Sequence, residues 1–454
     1  MSAVDTSQGT AHPFGSLSTA PKETALFGVA GSPGTRLLAG PIGSMGSESL
    51  ASHERRLGCV NSIGLTPQAL RDTVRDSGLL GRGGAGFPTA TKFDVAAKAP
   101  GTPIVVVNAS EGEPASAKDR TLLELRPHLV LDGADLAATA VGASEIILYF
   151  HRAHLRANSA LERALGERRD AGVGTARVRL VDAPARYVAG ETSAVVSYLG
   201  GRGALPRRGA QPAAQVGIAD RPTVVNNAET LAHLALVARY GATWFSQVGT
   251  PQAPGSTLIT LAGSVSVPGL VVEILGPVRI GRVLESMGGV DTPPRAVLLG
   301  GYAGTWINGE TAWNTPLERH RLKALGVSLG CGLVAVLNDQ ICGVAETARL
   351  LRWLAGESSG QCGSCVFGLP VLADFVDDII AGRSRRSDLR RLREHAASVR
   401  GRGACGHPTG VVTLVESALD TFGPELASHL RGAVCAANDG PNHFPLPSDW
   451  EQGR

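Results

Sequence analysis

The sequence predicts an α/β fold in three parts: an α/β domain with a largely parallel sheet, a small β-grasp domain and a C-terminal helical bundle. Three observations predict it. Helical and strand patterns alternate from about Pro67 to Glu229, as in βαβ units that cover a parallel sheet on both faces. From Thr257 to about Asn308 the chain changes to short β-branched runs with a Pro-Gly turn at Pro268. From about Val344 to Arg431 apolar residues recur at helical spacing, as in Leu372, Phe375, Val376 and Ile379.

Residues 1–48 are rich in Gly, Ser, Ala and Pro, carry little periodicity, and read as a disordered tail. The α/β domain is expected over 49–248. Its first convincing helix is Pro67–Ser77: Thr66 can cap it, Pro67 suits its first position, Leu70 and Val74 mark one face, and Gly78 ends it. The run 103–107 is apolar and stops abruptly at Asn108, as a buried parallel strand does when its C-terminal end opens onto a ligand crevice. Residues 128–141 and 155–171 then read as helices, Glu145–Phe150 and 177–181 as strands, with further helices from about Ser193 and Glu229.

The β-grasp domain is expected over 255–330, with strands at 258–261, Val271–Ile274 and Ala296–Leu299. The bundle is expected over 338–432, with helices at 344–355, 369–381, 388–399 and 411–430 joined by short loops. Residues 433–454, rich in Pro, Asn, Gly and Asp, read as a surface tail.

A chain of 454 residues can bury several cores. Its net charge of +3 is nearly balanced and gives no support for a nucleic-acid or membrane-surface role. No apolar run approaches the roughly 20 residues of a membrane helix, and the first ten residues lack a basic start followed by a hydrophobic stretch. A soluble, cytoplasmic protein without membrane insertion is expected. Seven cysteines, an odd number, argue against a disulfide framework and for thiols that are buried or metal-bound.

The most informative stretch is 78–93, with five glycines in nine residues. Gly81, Gly83, Gly84 and Gly86 remove the β-carbons that would hold a ligand off the backbone, so successive N–H groups can cradle a phosphate. Lys92 supplies a point charge, and Phe87 with Pro88 a rigid wall for a flat heterocycle. A plain glycine linker would not hold Phe, Pro and Lys at fixed offsets. Near the other end, Cys362-x-x-Cys365 is a pattern shared by zinc, redox and cluster sites.

The segment Gly81-Arg-Gly-Gly-Ala-Gly-Phe-Pro-Thr-x-x-Lys92 resembles the FMN-binding loop of the NADH-oxidising flavoprotein subunit of respiratory complex I. Related subunits occur in NAD-linked hydrogenases and formate dehydrogenases. The resemblance continues through Val107-Asn-Ala-Ser-Glu-Gly-Glu-Pro114, Tyr187-Val-Ala-Gly-Glu191 and Pro222-Thr-Val-Val-Asn-Asn-Ala-Glu-Thr230, from about Ser49 to about Arg431.

This likeness implies an FMN site made of Gly81, Gly83, Lys92, Asn108, Glu111, Gly190, Glu191, Asn226 and Asn227. It implies that Phe87 and Glu113 stack on and hydrogen-bond the nicotinamide nucleotide. It also places a ubiquitin-like domain of the soluble-ligand-binding type where the β-grasp is expected, and an iron-sulfur site within 338–432. The chain departs from the family at several positions. Ser110 stands where Asp is usual and Ala228 where Thr or Val is; Thr192 replaces an acid that faces the dinucleotide, and Val95 an aromatic. The segment 206–212 lacks the family's Lys and Phe, but offers Arg207 and Arg208 to a 2′-phosphate, so NADH, NADPH or neither remain open.

The family's cluster motif begins Ser-Cys-Gly, where this chain has Ser358-Ser359-Gly360. Cys362, Cys365 and the distant Cys405 remain, and Ser359 or His407 can supply a fourth ligand to a 4Fe-4S or 3Fe-4S cluster; a vestigial site is the alternative. Cys59, Cys331, Cys342 and Cys435 read as small buried hydrophobes. The expected function is flavoprotein electron transfer. FMN oxidises NADH or NADPH, and electrons leave through the cluster to a ferredoxin-like, other iron-sulfur or quinone-reductase partner. The alternatives are a nicotinamide-independent flavoprotein relaying electrons between proteins, and a structural subunit without cofactors.

Overall fold

A computed structural model describes residues 26–43, 46–174, 176–433 and 444–447. Its strands are β1 (Phe27–Gly28), β2 (Ile104–Ala109), β3 (Glu145–Phe150), β4 (Arg177–Asp182), β5 (Thr223–Asn227), β6 (Gly249–Thr250), β7 (Ala253–Pro254), β8 (Thr257–Gly263), β9 (Val271–Ile274), β10 (Ala296–Leu299), β11 (Thr305–Asn308) and β12 (Leu333–Leu337). Strands β2 to β5 form one wholly parallel sheet in the order β4-β3-β2-β5. Its inner strands β2 and β3 are apolar on both faces because both are covered, whereas the edge strand β4 carries exposed Arg177, Arg179 and Asp182. Val105 and Val107 join the core of helices Pro67–Ser77, Pro127–Val141 and Ala228–Phe245, while Ile104 and Val106 meet Val195 and Val196 of helix Thr192–Leu199 on the other side.

Local chemistry sets these elements. Helix Pro67–Ser77 starts where Thr66 Oγ1 accepts from Ala69 N–H and stops at Gly78, whose φ of 64° favours glycine. It buries Leu70 and Val74 completely, about 1.5–3 kcal/mol of apolar transfer each. Helices Pro127–Val141 and Ala228–Phe245 touch through Gly133, where a β-carbon would lie 1.8 Å from the Leu231 carbonyl oxygen.

The second sheet is mixed, in the order β1-β9-β8-β12-β10-β11. Its central strand β12 lies parallel to β8 and antiparallel to β10. Residue 330 was the expected end of this part, so β12 corrects that bound: its pairing partners are dozens of residues away in sequence. Val297, Leu299, Val334 and Val336 pack on Ile280, Val283 and Leu284. The opposite face, including Leu298, Ala335 and Leu337, packs on helices Gly343–Gly356, Leu369–Ile380, Arg386–Val399, His407–Thr421 and Gly423–His429. The helix expected over 411–430 is thus two helices, broken at Phe422 ahead of Gly423-Pro424.

Two tail expectations are corrected where residues are described; 1–25, 44–45, 434–443 and 448–454 lie outside them. Leu37 and Leu38 are fully buried, and the N–H groups of Arg36, Leu37 and Leu38 donate to the buried Glu273 carboxylate at 3.0–3.1 Å. Near the other end Phe444 is fully buried, stacked against Tyr302 and Trp306. Backbone N–H groups that find a buried carboxylate, and an aromatic that finds a cage, order segments whose composition alone reads as tail.

Candidate functional site

The order β4-β3-β2-β5 changes direction between β2 and β5, and crevices open at the C-terminal ends of strands at such a point. Asn108 and Asn227 are register partners there, with Asn226 one residue back opposite Val107. The glycine loop arrives from helix Pro67–Ser77 and folds on itself: Gly81 N–H donates to Phe87 O at 2.8 Å and Thr89 N–H to Leu79 O at 3.0 Å. Gly84 and Gly86 have φ of 105° and 65°. Arg82 N–H donates to Thr230 Oγ1 at 2.9 Å, which ties the loop to the helix following β5.

Lys92 stands on helix Thr89–Lys98 and donates from Nζ to Val225 O at 3.0 Å and Asn226 Oδ1 at 3.3 Å. Burial lowers its pKa. Asn108 Nδ2 donates to Gly190 O at 2.8 Å, and a β-carbon at Gly190 would lie 2.7 Å from Ser110 Oγ. Ser110 Oγ in turn donates to Asn108 Oδ1 at 2.9 Å, so the serine found where the family has Asp holds an asparagine in place.

Glu111 and Glu191 use their carboxylates on backbone. Glu111, at φ 44°, accepts from Asp119 N–H, Arg120 N–H and Ser116 Oγ at 2.8–3.1 Å. Glu191 caps helix Thr192–Leu199, accepting from Ala194 N–H at 3.0 Å. Both nevertheless line the same cavity as the glycine loop.

That cavity has a volume of about 750 Å³ and is walled by all three parts of the chain. The glycine loop, Lys92 and the three asparagines form one side; Gly300, Ser328, Gly330 and Cys331 come from the second sheet and its loops; Cys405, His407 and Gly410 come from the helical part. Three buried polar atoms of residues that line it lack a hydrogen-bond partner: Asn226 Nδ2, Glu113 Oε1 and His407 Nδ1. Glu113 Oε2 accepts from Tyr302 N–H at 2.9 Å, and burial pushes its pKa up to about 8, so it is neutral at pH 7. Phe87 is 47% exposed at the rim.

Several site residues escaped the sequence reading. Lys118, only 2% exposed, donates from Nζ to Asn227 Oδ1 and Asp119 Oδ1, each at 2.9 Å, and pairs with Glu229 at 3.1 Å. Asn227 Nδ2 donates to Asp119 at 2.6 Å. A Lys-Asp pair after Ala115-Ser116-Ala117 is the only sequence signal, and helix starts share it. Of the cysteines read as buried hydrophobes, Cys59, Cys331 and Cys342 are only partly buried, and Cys435 lies outside the described residues. Cys331 lines the cavity.

Beyond Thr192, which also lines the main cavity, a second cavity of about 620 Å³ runs past Ser193 to Arg202 and Arg207. Arg207 N–H donates to Ser193 Oγ at 2.8 Å. Arg208 is exposed.

Cys362 and Cys365 flank the start of the turn Ser364–Gly368, and Cys362 Sγ accepts from Ala404 N–H at 3.2 Å, next to Cys405. Burial pushes the Cys365 thiol up to about 11, and negative charge on Cys405 and Cys362 adds to the shift. Among the described residues no three Cys, His, Asp or Glu side chains converge as a single metal ion would need. The hydroxyls beside Cys365 are those of Ser364 and Ser358. Ser359 Oγ accepts from Gln361 Nε2 at 3.3 Å. His407 is held at Nε2, 2.9 Å from Leu354 O, with Nδ1 buried and unpartnered.

Residues 74–236 match the family described as the Nuo51 FMN-binding domain, and residues 345–429 that described as the NADH-ubiquinone oxidoreductase-F iron-sulfur binding region. The second of the F-type NADH-quinone oxidoreductase subunits of Rhizobium meliloti (strain 1021) is 32% identical over 383 residues, 82% of this chain and 90% of that protein. The chain belongs to the F-type subunits of NADH-quinone oxidoreductases. The F-type member of Streptomyces coelicolor is likewise 32% identical, over 84% of this chain and 88% of its own length. Among solved structures, a chain of the NAD+-reducing NiFe-hydrogenase in the H2-reduced state superposes with a TM-score of 0.73 at 32% identity. The match covers 81% of this chain and 63% of that one. The mixed α/β fold with its parallel sheet is thus shared with the F-type chains' hydrogenase relative, and no helix among the described residues is long and apolar enough to cross a membrane.

Proposed function

We propose that this chain takes electrons from NADH or NADPH at an FMN in the main cavity and passes them through an iron-sulfur cluster at Cys362, Cys365 and Cys405 to an iron-sulfur partner protein. The observation that carries this reading is continuity: the glycine loop, Glu113 and Cys405 all line one cavity. Its volume lies within the range of cofactor sites.

The residues fit FMN. Loop N–H groups around Gly83 meet the phosphate, with Lys92 as the opposing charge. Asn226 Nδ2, buried and unpartnered, is a donor awaiting an acceptor such as a ring carbonyl. Asn108, fixed by Ser110, presses the Gly190 backbone to the opposite wall. FMN, when bound, supplies the conversion of a two-electron hydride transfer into single-electron steps. Around it, Phe87 stacks on the nucleotide and neutral Glu113 hydrogen-bonds it through Oε1, free of the charge that would repel electron density.

The thiols fit a cluster. Burial, and after it nearby negative charge, holds the Cys365 and Cys405 thiols against ionisation, a cost that positive iron removes. A hydroxyl from Ser359 or Ser358 completes the set as the oxygen ligand. The hairpin β8-β9, the helical turn Ile280–Gly288 and the insertion of β12 parallel to β8 support reading the second sheet as a β-grasp domain, and the five helices behind it as the bundle.

The test is content. Anaerobically purified protein should carry one FMN and three to four irons per chain; colourless, iron-free protein that binds no added FMN contradicts the reading.

A further inference from the structure

The glycine loop meets a cation that the reading above does not use. Arg319 opens the short helix Arg319–Ala324. Its guanidinium lies directly over Gly86: a β-carbon there would be 2.7 Å from Nη1 and 3.2 Å from Cζ. Gly86 is at φ 65° and precedes the half-exposed Phe87. Arg319 therefore sits over the residue that precedes Phe87 in the loop.

Nothing among the described residues neutralises it. The adjacent acid, Glu318, spends its carboxylate on the N–H groups of His320 and Arg321, each at 2.8 Å. Arg319 makes no ion pair, and its charge is felt by buried Arg82 on the same loop, whose own pKa is lowered by burial to about 10. Two guanidinium groups near one another with one lacking an acid form a site for an anion. The flavin phosphate already has the loop amides and Lys92. A second anion is called for at the rim, next to Phe87.

We propose that Arg319 binds the 2′-phosphate of NADPH and makes this chain prefer NADPH to NADH. The proposal rests on the reading that Phe87 stacks on the nucleotide. On an adenosine stacked there, the ribose 2′ oxygen is the glycosidic bond and two ring carbons from the base, so a 2′-phosphate on it can reach the guanidinium over the adjacent Gly86. A planar guanidinium grips a phosphate through two parallel N–H donors.

The test is equilibrium binding of 2′,5′-ADP and 5′-AMP to the FMN-loaded protein by calorimetry, with wild type, Arg319→Ala, Arg319→Lys and Arg207→Ala. Wild type should favour 2′,5′-ADP by about tenfold or more. Arg319→Ala should bring the two ligands within about twofold by weakening 2′,5′-ADP alone, Arg319→Lys should keep part of the preference, and Arg207→Ala should keep it whole. Equal affinities in wild type, an unchanged ratio in Arg319→Ala, or a ratio that collapses in Arg207→Ala instead overturns the assignment to Arg319. Anaerobic flavin bleaching in the same samples separates the two levels: if NADH and NADPH bleach alike and only the ratio fails, Arg319 is wrong, and if neither bleaches, the nicotinamide reading falls and takes this proposal with it.

Discussion

Lys92 Nζ lies 3.3 Å from Asn226 Oδ1 and thereby fixes which way the Asn226 amide faces. With Oδ1 committed to the ammonium, Nδ2 is left buried without a partner in the cavity wall. A buried unmet donor costs about 1–3 kcal/mol, which binding of an acceptor returns. Asn226→Leu should therefore weaken FMN binding by about tenfold or more while leaving thermal stability of the flavin-free protein unchanged or improved. Flavin fluorescence titration and melting of the apoprotein measure the two effects; a stability loss without an affinity loss would assign Asn226 to the fold alone.

The glycine loop makes a sharper case. At Gly83 a β-carbon would touch Asn227 Cβ at 3.4 Å, so the site has room for one carbon and none for a branched side chain. Gly83→Ala should retain most of its flavin, whereas Gly83→Val should bind FMN at least about tenfold more weakly with an unchanged circular dichroism spectrum. Equal flavin content in the two purified variants is the result that counts against a phosphate cradle at this loop.

Glu113 gives a pH prediction. Its folded pKa, raised by burial to about 8, exceeds the usual value of 4.5, so the folded chain holds a proton that the unfolded chain has lost between those limits. Stability from this group therefore falls as pH rises from about 4.5 to 8 and is level above. Glu113→Gln, the isostere of the neutral acid, should flatten that slope and raise the melting temperature most at pH 8. Parallel melting curves of the two proteins across the window would refute a buried neutral Glu113.

At the cysteines, three thiolates leave one iron of a cubane to an oxygen or solvent ligand, the iron lost first on oxidation. Wild type should convert from 4Fe-4S to 3Fe-4S in air. Ser359→Cys should resist this, and Ser358→Cys should not, which electron paramagnetic resonance before and after exposure reads directly. Protection by the Ser358 substitution instead would move the fourth position by one residue.

Glu273 anchors the segment before the first long helix, accepting from the N–H groups of Arg36, Leu37 and Leu38 and from Ser256 Oγ. Glu273→Ala strands those donors in a buried place and should cost about 3–5 kcal/mol, with new proteolytic cleavage near Leu37 seen by mass spectrometry. Cleavage resistance equal to wild type would mean that the segment is held by Leu37 and Leu38 packing alone.

Local rules explain what the sequence makes legible. Helix Pro67–Ser77 carries its cap, its first-position proline and its terminal glycine within one stretch, and β2 announces itself by an apolar run that ends at an asparagine. The glycine loop, Lys92 and the asparagines are legible because each stands in a short local run of distinctive residue types. Partners distant in sequence are not. Strand β12 owes its place to β8 and β10, Leu37 to a carboxylate more than two hundred residues away, and Lys118 to Glu229, which only folding brings to it. Glu111 and Glu191 illustrate a further limit: sequence places them at the site, while geometry commits their carboxylates to helix starts.

The central claim, that one cavity joins nucleotide, flavin and cluster, is tested most directly by anaerobic titration of the purified protein with NADH and NADPH, following flavin absorbance and the cluster's paramagnetic signal together. The account predicts that about one equivalent of nucleotide bleaches the flavin and that electrons reach the cluster at Cys362, Cys365 and Cys405, a transfer lost in Cys405→Ser while bleaching persists. A bound flavin that dithionite bleaches but neither nucleotide does would contradict it.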